Sequence, residues 1–132
     1  MLGSCNVMAF VVTMDAARAR HFYQDTLGLR VVSEDPHAIV LDANGTMVRV
    51  SQVRDFEPAA HTVLGWVVPD ARAAVISLGG RGVSFERYEE FTQDTLRICT
   101  FPGGAKVAWF KDPDGNVLSI TQMPEAPEGQ AH

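Results

Sequence analysis

The chain has 132 residues, of which 46% are hydrophobic, and this length predicts one compact domain rather than two large ones. Its 16 acidic and 11 basic residues give a formal net charge of −5 without any lysine or arginine cluster, which argues against nucleic acid and anionic membranes as partners. The apolar runs are far shorter than the roughly 20 residues that span a bilayer, no secretory signal is recognisable, and Cys5 and Cys99 form no CxxC motif, so we expect a cytoplasmic protein.

The first half of the chain predicts a strand, a helix and three further strands. Residues 6–14 are apolar and rich in β-branched side chains, as in a strand. After Asp15, a candidate N-cap, apolar residues recur at helical spacing until Gly28. Two extended segments follow, "LRVVSED" and "HAIVLDANGTMVRVSQV", and the second contains an Asn44-Gly45 pair that predicts a hairpin turn.

The second half repeats this order. Asp70 follows Asp15 by 55 residues and precedes a predicted helix over 71–78, while the hairpin segment 114–122 follows its counterpart 44–52 by 70 residues. An internal repeat of this kind predicts two βαβββ modules. We place module one at about 5–54 and module two at about 60–122, within a single domain of residues 1–124, and the Pro-, Gly- and Glu-rich tail 125–132 is expected to be disordered.

These elements predict an α+β fold in which two paired βαβββ modules form a curved mixed sheet, with the helices on the outer face and a concave cavity on the other. Such concavities are where small molecules bind, so a small organic molecule is the expected partner. The alternative is an α+β domain whose two halves are unrelated.

Two segments carry a family resemblance. The segments "RARHFYQDTLGLRVV" (18–32) and "FKDPDGNVLSI" (110–120) resemble the vicinal oxygen chelate superfamily, which includes glyoxalase I, extradiol dioxygenases, fosfomycin-resistance enzymes and bleomycin-resistance proteins. The resemblance covers about residues 5–122 and implies the two-module fold described above.

In the metal-using members of that superfamily, two strands of each module carry the metal ligands. The resemblance places these positions at Met8, Arg49, Val63 and Ser119. None of the four is a good ligand for a divalent metal, and the guanidinium of Arg49 would repel a cation, so we expect no metal and no cofactor. His61, two residues before Val63 on the same side of the strand, leaves an atypical metal site open, although a solvated residue at the start of the strand is the alternative.

Strand alternation around these four positions predicts the lining of the cavity. The predicted lining is apolar with a few hydroxyl groups and one cation, which suits a flat hydrophobic ligand with an anionic or carbonyl group facing Arg49. The alternative is that the Arg49 side chain extends to the rim and forms a structural ion pair. Trp109 could stack on such a ligand or pack in the core. The candidate ligand-binding residues are Met8, Phe10, Arg49, Ser51, Val63, Ser119, Thr121 and Trp109.

The sequence thus favours a metal-independent small-molecule-binding protein, similar to the bleomycin-resistance branch, that sequesters a hydrophobic ligand. A metal-dependent enzyme of glyoxalase or dioxygenase type is the alternative, and a lyase or isomerase without metal is the third. No catalytic residue can be assigned, because no nucleophile–base set is recognisable. Edge strands in a sheet built from two modules also predict a homodimer.

Overall fold

A computed structural model describes residues 1–125, so the predicted tail lies outside the described residues except for Glu125. The chain contains two four-stranded sheets with the same arrangement of strands, and this confirms the predicted α+β fold of two repeated modules. It divides into two compact units, one of residues 1–64 with 111–117, the other of residues 65–110 with those from Leu118 onward. No helix within the described part of the chain is long and apolar enough to cross a membrane.

The first sheet has the strand order β1-β4-β3-β2. Strand β1 runs parallel to β4, and the other neighbours are antiparallel. Asn44 and Gly45 have φ values of 51° and 93°, which is the left-handed pair that the predicted hairpin turn requires. The strands are β1 (Met8–Thr13), β2 (Arg30–Glu34), β3 (Ala38–Ala43) and β4 (Thr46–Gln52).

The helix after β1 begins as predicted but does not continue as one regular helix. The carboxylate of Asp15 accepts a hydrogen bond from Arg18 N and caps α1 (Ala16–Arg20). The chain then widens into a π-helical segment, His21–Thr26. Apolar spacing alone does not distinguish these two windings, because both place side chains such as Tyr23 on the side facing the sheet.

One side of the first sheet forms a core against this helix. The strands contribute aliphatic side chains and the helix contributes one small and one aromatic residue, all almost completely buried. Burying each large apolar side chain contributes about 1.5–3 kcal/mol of transfer free energy, so this layer holds the module together. Its members are Val11, Ala19, Tyr23, Ile39, Leu41, Val48 and Val50.

The second sheet has the corresponding order β5-β8-β7-β6. Its helix α2 (Ala71–Gly79) is capped by Asp70, as predicted. The last edge strand is reduced to two residues, and two isolated bridges lie beside it, Phe85 with Phe110 and Gln93 with Cys99. Residues 86–98 therefore form a loop where the first module has a longer strand. The strands are β5 (Thr62–Val67), β6 (Cys99–Thr100), β7 (Lys106–Lys111) and β8 (Val117–Gln122).

Equivalent hydrogen bonds fasten the start of each helix. Gln52 Oε1 accepts a hydrogen bond from Ala16 N at 3.0 Å, and Gln122 Oε1 accepts one from Ala71 N at 2.9 Å. Each glutamine ends the last strand of its module, so the same side chain satisfies the same otherwise unpaired helix N–H in both halves. The internal repeat therefore extends to individual contacts.

The DPDG turn after β7 belongs to the first unit, where buried hydrogen bonds hold it. The hydroxyl of Tyr23 donates to Asp112 Oδ2 at 2.6 Å, and Asn116 Nδ2 donates to the same oxygen at 2.8 Å. The backbone N–H groups of Asp114 and Asn116 donate to Asp112 Oδ1, each at 2.9 Å. Burial, reinforced by the charge of Asp112, raises the pKa of Tyr23 well above its ordinary value, so this hydroxyl stays protonated and donates.

A second carboxylate in the same turn holds the end of β1. Thr13 Oγ1 donates to Asp114 Oδ2 at 2.6 Å, and Met14 N donates to Asp114 Oδ1 at 3.0 Å. Asn116 Nδ2 also donates to the carbonyl of Val12 at 2.9 Å. The turn therefore fixes where β1 ends, and with it the orientation of the side chains on β1.

Candidate functional site

The side of the first sheet that faces away from α1 is called here the open face of the first sheet. Paired residues on neighbouring strands point to the same side of a sheet, so the register between strands defines this face. Met8 and Phe10 remain 40% and 61% exposed, and Met47 beside them is 42% exposed. Its members are Met8, Phe10, Val12, Val40, Met47, Arg49 and Ser51.

Arg49 lies in the middle of this open face with an apolar neighbour on each side. Phe10 on β1 and Val40 on β3 are its direct partners across the strands. Within residues 1–125 Arg49 forms no ion pair. Its charge contributes to lowering the pKa of Asp35, but the main causes there are the backbone N–H groups that bind that carboxylate. Arg49 is thus a half-buried guanidinium without a carboxylate partner among residues 1–125, and guanidinium groups pair well with carboxylates and other anions.

The corresponding open face of the second sheet has small residues where the first has Phe10 and Arg49. Gly65 on β5 lies against Ser119 on β8, so closely that a Cβ at position 65 would come within 2.7 Å of the serine hydroxyl oxygen. The hydrogen bond from Asp112 N to Asn116 O closes the β7–β8 hairpin, and counting outward from it places Trp109 opposite Ser119. Ser119 is only 8% exposed.

Trp109 therefore lies on the open face and not in the core beneath the sheet, but other aromatic rings cover it. Phe91 stacks on the indole with a centroid distance of 4.9 Å and an interplanar angle of 18°. Tyr88 and Phe101 contact it edge-on, at 5.4 Å and 6.4 Å. Sequence reasoning did not identify these three residues, because they lie outside the periodic strand patterns on which it relied.

Gln93 fixes the ends of the loop that carries Tyr88 and Phe91. Its side-chain amide donates to the carbonyls of Glu86 and Arg97, at 2.9 Å and 2.7 Å, and its oxygen accepts from Tyr88 N at 2.7 Å. One side chain thus links three backbone groups of the loop. Arg97 adopts a left-handed conformation with φ of 70°, which is uncommon for a residue other than glycine.

The candidate residues predicted from sequence fall into two groups. Met8, Phe10, Arg49 and Ser51 share the open face of the first sheet. Ser119 and Trp109 share that of the second sheet, and alternation along β5 and β8 places Val63 and Thr121 on the same side. Ligand binding by these residues remains a prediction.

The four positions that the resemblance assigns to metal ligands are occupied by side chains of other chemistry. Within residues 1–125 no three His, Cys, Asp or Glu side chains lie close enough together to hold a metal ion. His61 is exposed and directly precedes β5. The donor set at these four positions does not fit a divalent metal, because none of them offers an imidazole or a carboxylate.

Three clefts on the described surface lie away from these residues. One cleft of about 430 Å³ borders the start of α2, where Asp70, Arg72, Asp94 and Lys106 contribute charges of both signs. None of the candidate ligand-binding residues lines it. These three clefts therefore do not coincide with the open faces.

Comparisons with known proteins agree with this arrangement. The chain is similar to a glyoxalase/bleomycin resistance protein/dioxygenase superfamily member from Sphaerobacter thermophilus DSM 20745, with 24% identity, a TM-score of 0.71, and coverage of 92% of this chain and 99% of that one. It is also similar to TnmS3, an antibiotic binding protein from Streptomyces sp. CB03234, with 23% identity, a TM-score of 0.71, and coverage of 95% and 99%.

A structure named as an enzyme is similar to the chain as well. A lactoylglutathione lyase from Agrobacterium tumefaciens has 18% identity and a TM-score of 0.66, with coverage of 90% of this chain and 93% of that one. At these identities the solved structures establish the fold alone. No curated protein matches the chain. The family profile described as the Glyoxalase/Bleomycin resistance protein/Dioxygenase superfamily matches residues 5–120, and the chain belongs to this superfamily.

Proposed function

We propose that this protein binds a small, flat, hydrophobic molecule with an anionic or carbonyl group, and that it does so without a metal ion. The observation that carries the proposal is the position of Arg49, a cation without an ion-pair partner among residues 1–125, between Phe10 and Val40 on an exposed apolar face. Apolar walls around one charged group are typical of small-molecule sites, in which the apolar surface supplies affinity and the polar group fixes orientation.

Sequestration is the activity that this chemistry supports best. TnmS3, an antibiotic binding protein, has the same fold, which makes small-molecule binding a precedent for this architecture. Free Cys5 and Cys99 agree with action in the reducing cytoplasm. An enzyme of the lactoylglutathione lyase type is the second candidate because that enzyme shares the fold. The residues at the four mapped ligand positions argue against it.

Replacing Arg49 by alanine should weaken the binding of an aromatic carboxylate such as 2-naphthoate by about 1.5–3 kcal/mol, because a charged hydrogen bond is lost. Calorimetric titration measures this difference. Arg54→Ala is the matched control, since it removes the same charge from an exposed loop position and should leave the affinity unchanged. Equal affinities of the two variants for 2-naphthoate would contradict a role of Arg49 in binding.

Metal independence makes a separate prediction. Met8, Arg49, Val63 and Ser119 offer no imidazole or carboxylate, so purified protein should contain no stoichiometric zinc, nickel, manganese or iron. Elemental analysis measures this content directly. A chelator should also leave the melting temperature unchanged, because a ligand that does not bind contributes no stability by linkage. One metal ion per chain would favour the enzyme instead.

We also propose that the protein forms a homodimer. Strands β1 and β5 are edge strands of their sheets, and exposed side chains such as Phe10 and Val67 lie along them. Unpaired edges with apolar side chains are typical surfaces for association with a second copy. Light scattering at micromolar concentration should give twice the mass of the 14.4 kDa chain. A mass of one chain would contradict the dimer.

A further inference from the structure

Trp109 presents a flat aromatic surface that another side chain of the same protein occupies. Phe91 lies nearly parallel to the indole, with an interplanar angle of 18°, whereas Tyr88 and Phe101 meet it at 78° and 84°. An offset parallel arrangement at 4.9 Å is one that free aromatic molecules also adopt on a tryptophan. Phe91 is thus the one of these three rings that covers the indole face to face.

The segment that holds Phe91 on the indole has no regular secondary structure. Phe91 belongs to the loop of residues 86–98, and its N–H donates to the carbonyl of Tyr88 at 3.1 Å in a local turn. Gln93 fixes the ends of this loop, while Glu89 and Glu90 at its tip are exposed. Such a turn opens at a lower free energy than a strand within a sheet, so Phe91 can leave the indole without unfolding of the sheet.

The row of side chains next to Trp109 determines which ligand suits the vacated surface. Ser119 lies beside the indole on β8, and Gly65 lies beside Ser119 on β5. This row carries no charge, in contrast to the row of Phe10, Arg49 and Val40 on the first sheet. A neutral planar ring is therefore the matching ligand, because a charged one would lose hydration without gaining a partner.

The geometry points to Trp109 as a stacking site for a neutral planar aromatic molecule, with Phe91 as the resident ring that this molecule displaces. This inference rests on the proposed small-molecule binding and adds a site with its own chemistry. The loop must open before the molecule stacks. The observed affinity for the molecule therefore equals the affinity of the open protein multiplied by the fraction of protein that is open. Removing the ring of Phe91 abolishes this competition.

Titration with 2-naphthol, a neutral planar probe, tests the inference. The indole N–H resonances of Trp66 and Trp109 in ¹⁵N-labelled protein report which tryptophan is contacted, and Trp109→Leu assigns them. Phe91→Ala should bind the probe about ten-fold more tightly than the unmodified protein, with a shift at Trp109 and none at Trp66. Phe101→Ala is the comparison variant: it removes an edge-on ring that also contacts Phe91 at 5.7 Å, so it should raise the affinity much less than Phe91→Ala does.

Equal binding of 2-naphthol by Phe91→Ala, Phe101→Ala and the unmodified protein would overturn the inference, as would an absence of binding to all three. Phe91→Leu preserves apolar volume and should give an intermediate affinity, so the test does not depend on the folding of the alanine variant. The probe carries no charge and its binding does not require Arg49. Failure of the 2-naphthoate experiment would contradict the proposed anion site and leave the result at Phe91 standing.

Discussion

Replacing Asp112 by alanine should lower the free energy of unfolding by about 3–5 kcal/mol, because several buried donors lose their acceptor at once. Its carboxylate accepts hydrogen bonds from the hydroxyl of Tyr23, from the amide of Asn116 and from two backbone N–H groups. Water cannot replace these partners easily at a residue that is 5% exposed. Denaturant unfolding monitored by circular dichroism measures the change.

Asp94→Ala is the matched control for this experiment. The carboxylate of Asp94 also accepts from two backbone N–H groups, those of Leu96 and Ile98, but it does so on an exposed loop. Its loss should cost about 0.5–1.5 kcal/mol, because water can satisfy the freed groups. A similar cost for the two variants would show that burial of the turn is not what makes Asp112 important.

The stability of the protein should fall steeply above pH 10, and Tyr23 should account for a large part of the loss. Burial, the charge of Asp112 and the hydrogen bond to it raise the pKa of Tyr23 above the ordinary value of 10.0. The unfolded chain therefore releases the Tyr23 proton at a lower pH than the folded protein does. The stabilising contribution of the Tyr23 hydroxyl is fully present below pH 10 and is lost as the pH rises. Each pH unit between pH 10 and the raised pKa of Tyr23 in the folded protein removes about 1.36 kcal/mol.

The variant Tyr23→Phe isolates this contribution. It should be less stable at pH 7 by about 1.5–3 kcal/mol, because a hydrogen bond to a charged group is lost, but its stability should change less between pH 10 and pH 12. Tyr88→Phe, at a half-buried loop position, should keep the steep decline of the unmodified protein. Parallel pH profiles for Tyr23→Phe and the unmodified protein would contradict the assignment.

Much of the fold could be predicted because local patterns and the repeat agree. The position of Asp15 and Asp70 before an apolar periodic segment predicts that both are caps, and both accept the expected backbone hydrogen bond. The Asn44-Gly45 turn was predicted for the same kind of reason. The π-helical segment was missed, since its apolar spacing also fits a regular helix.

The open faces could be predicted only in part. Strand alternation places Phe10 and Arg49 together, because that rule depends on backbone geometry alone. The rings of Phe91 and Tyr88 come from a loop without periodicity, so their contact with Trp109 depends on tertiary packing that no local pattern specifies. The repeat in the sequence therefore suggests two similar modules, whereas the open faces of the two sheets differ.

Each sheet has a row of three side chains on neighbouring strands, and the difference between these two corresponding rows has an evolutionary consequence. Phe10, Arg49 and Val40 occupy in one module the places that Gly65, Ser119 and Trp109 occupy in the other, whereas Gln52 and Gln122 serve the same purpose in both. Selection on a duplicated gene can thus diversify one surface while the opposite surface preserves foldability. In a mutational scan of the whole chain, tolerance of substitutions should alternate from residue to residue along the strands, with more tolerance on the open faces than on the opposite sides.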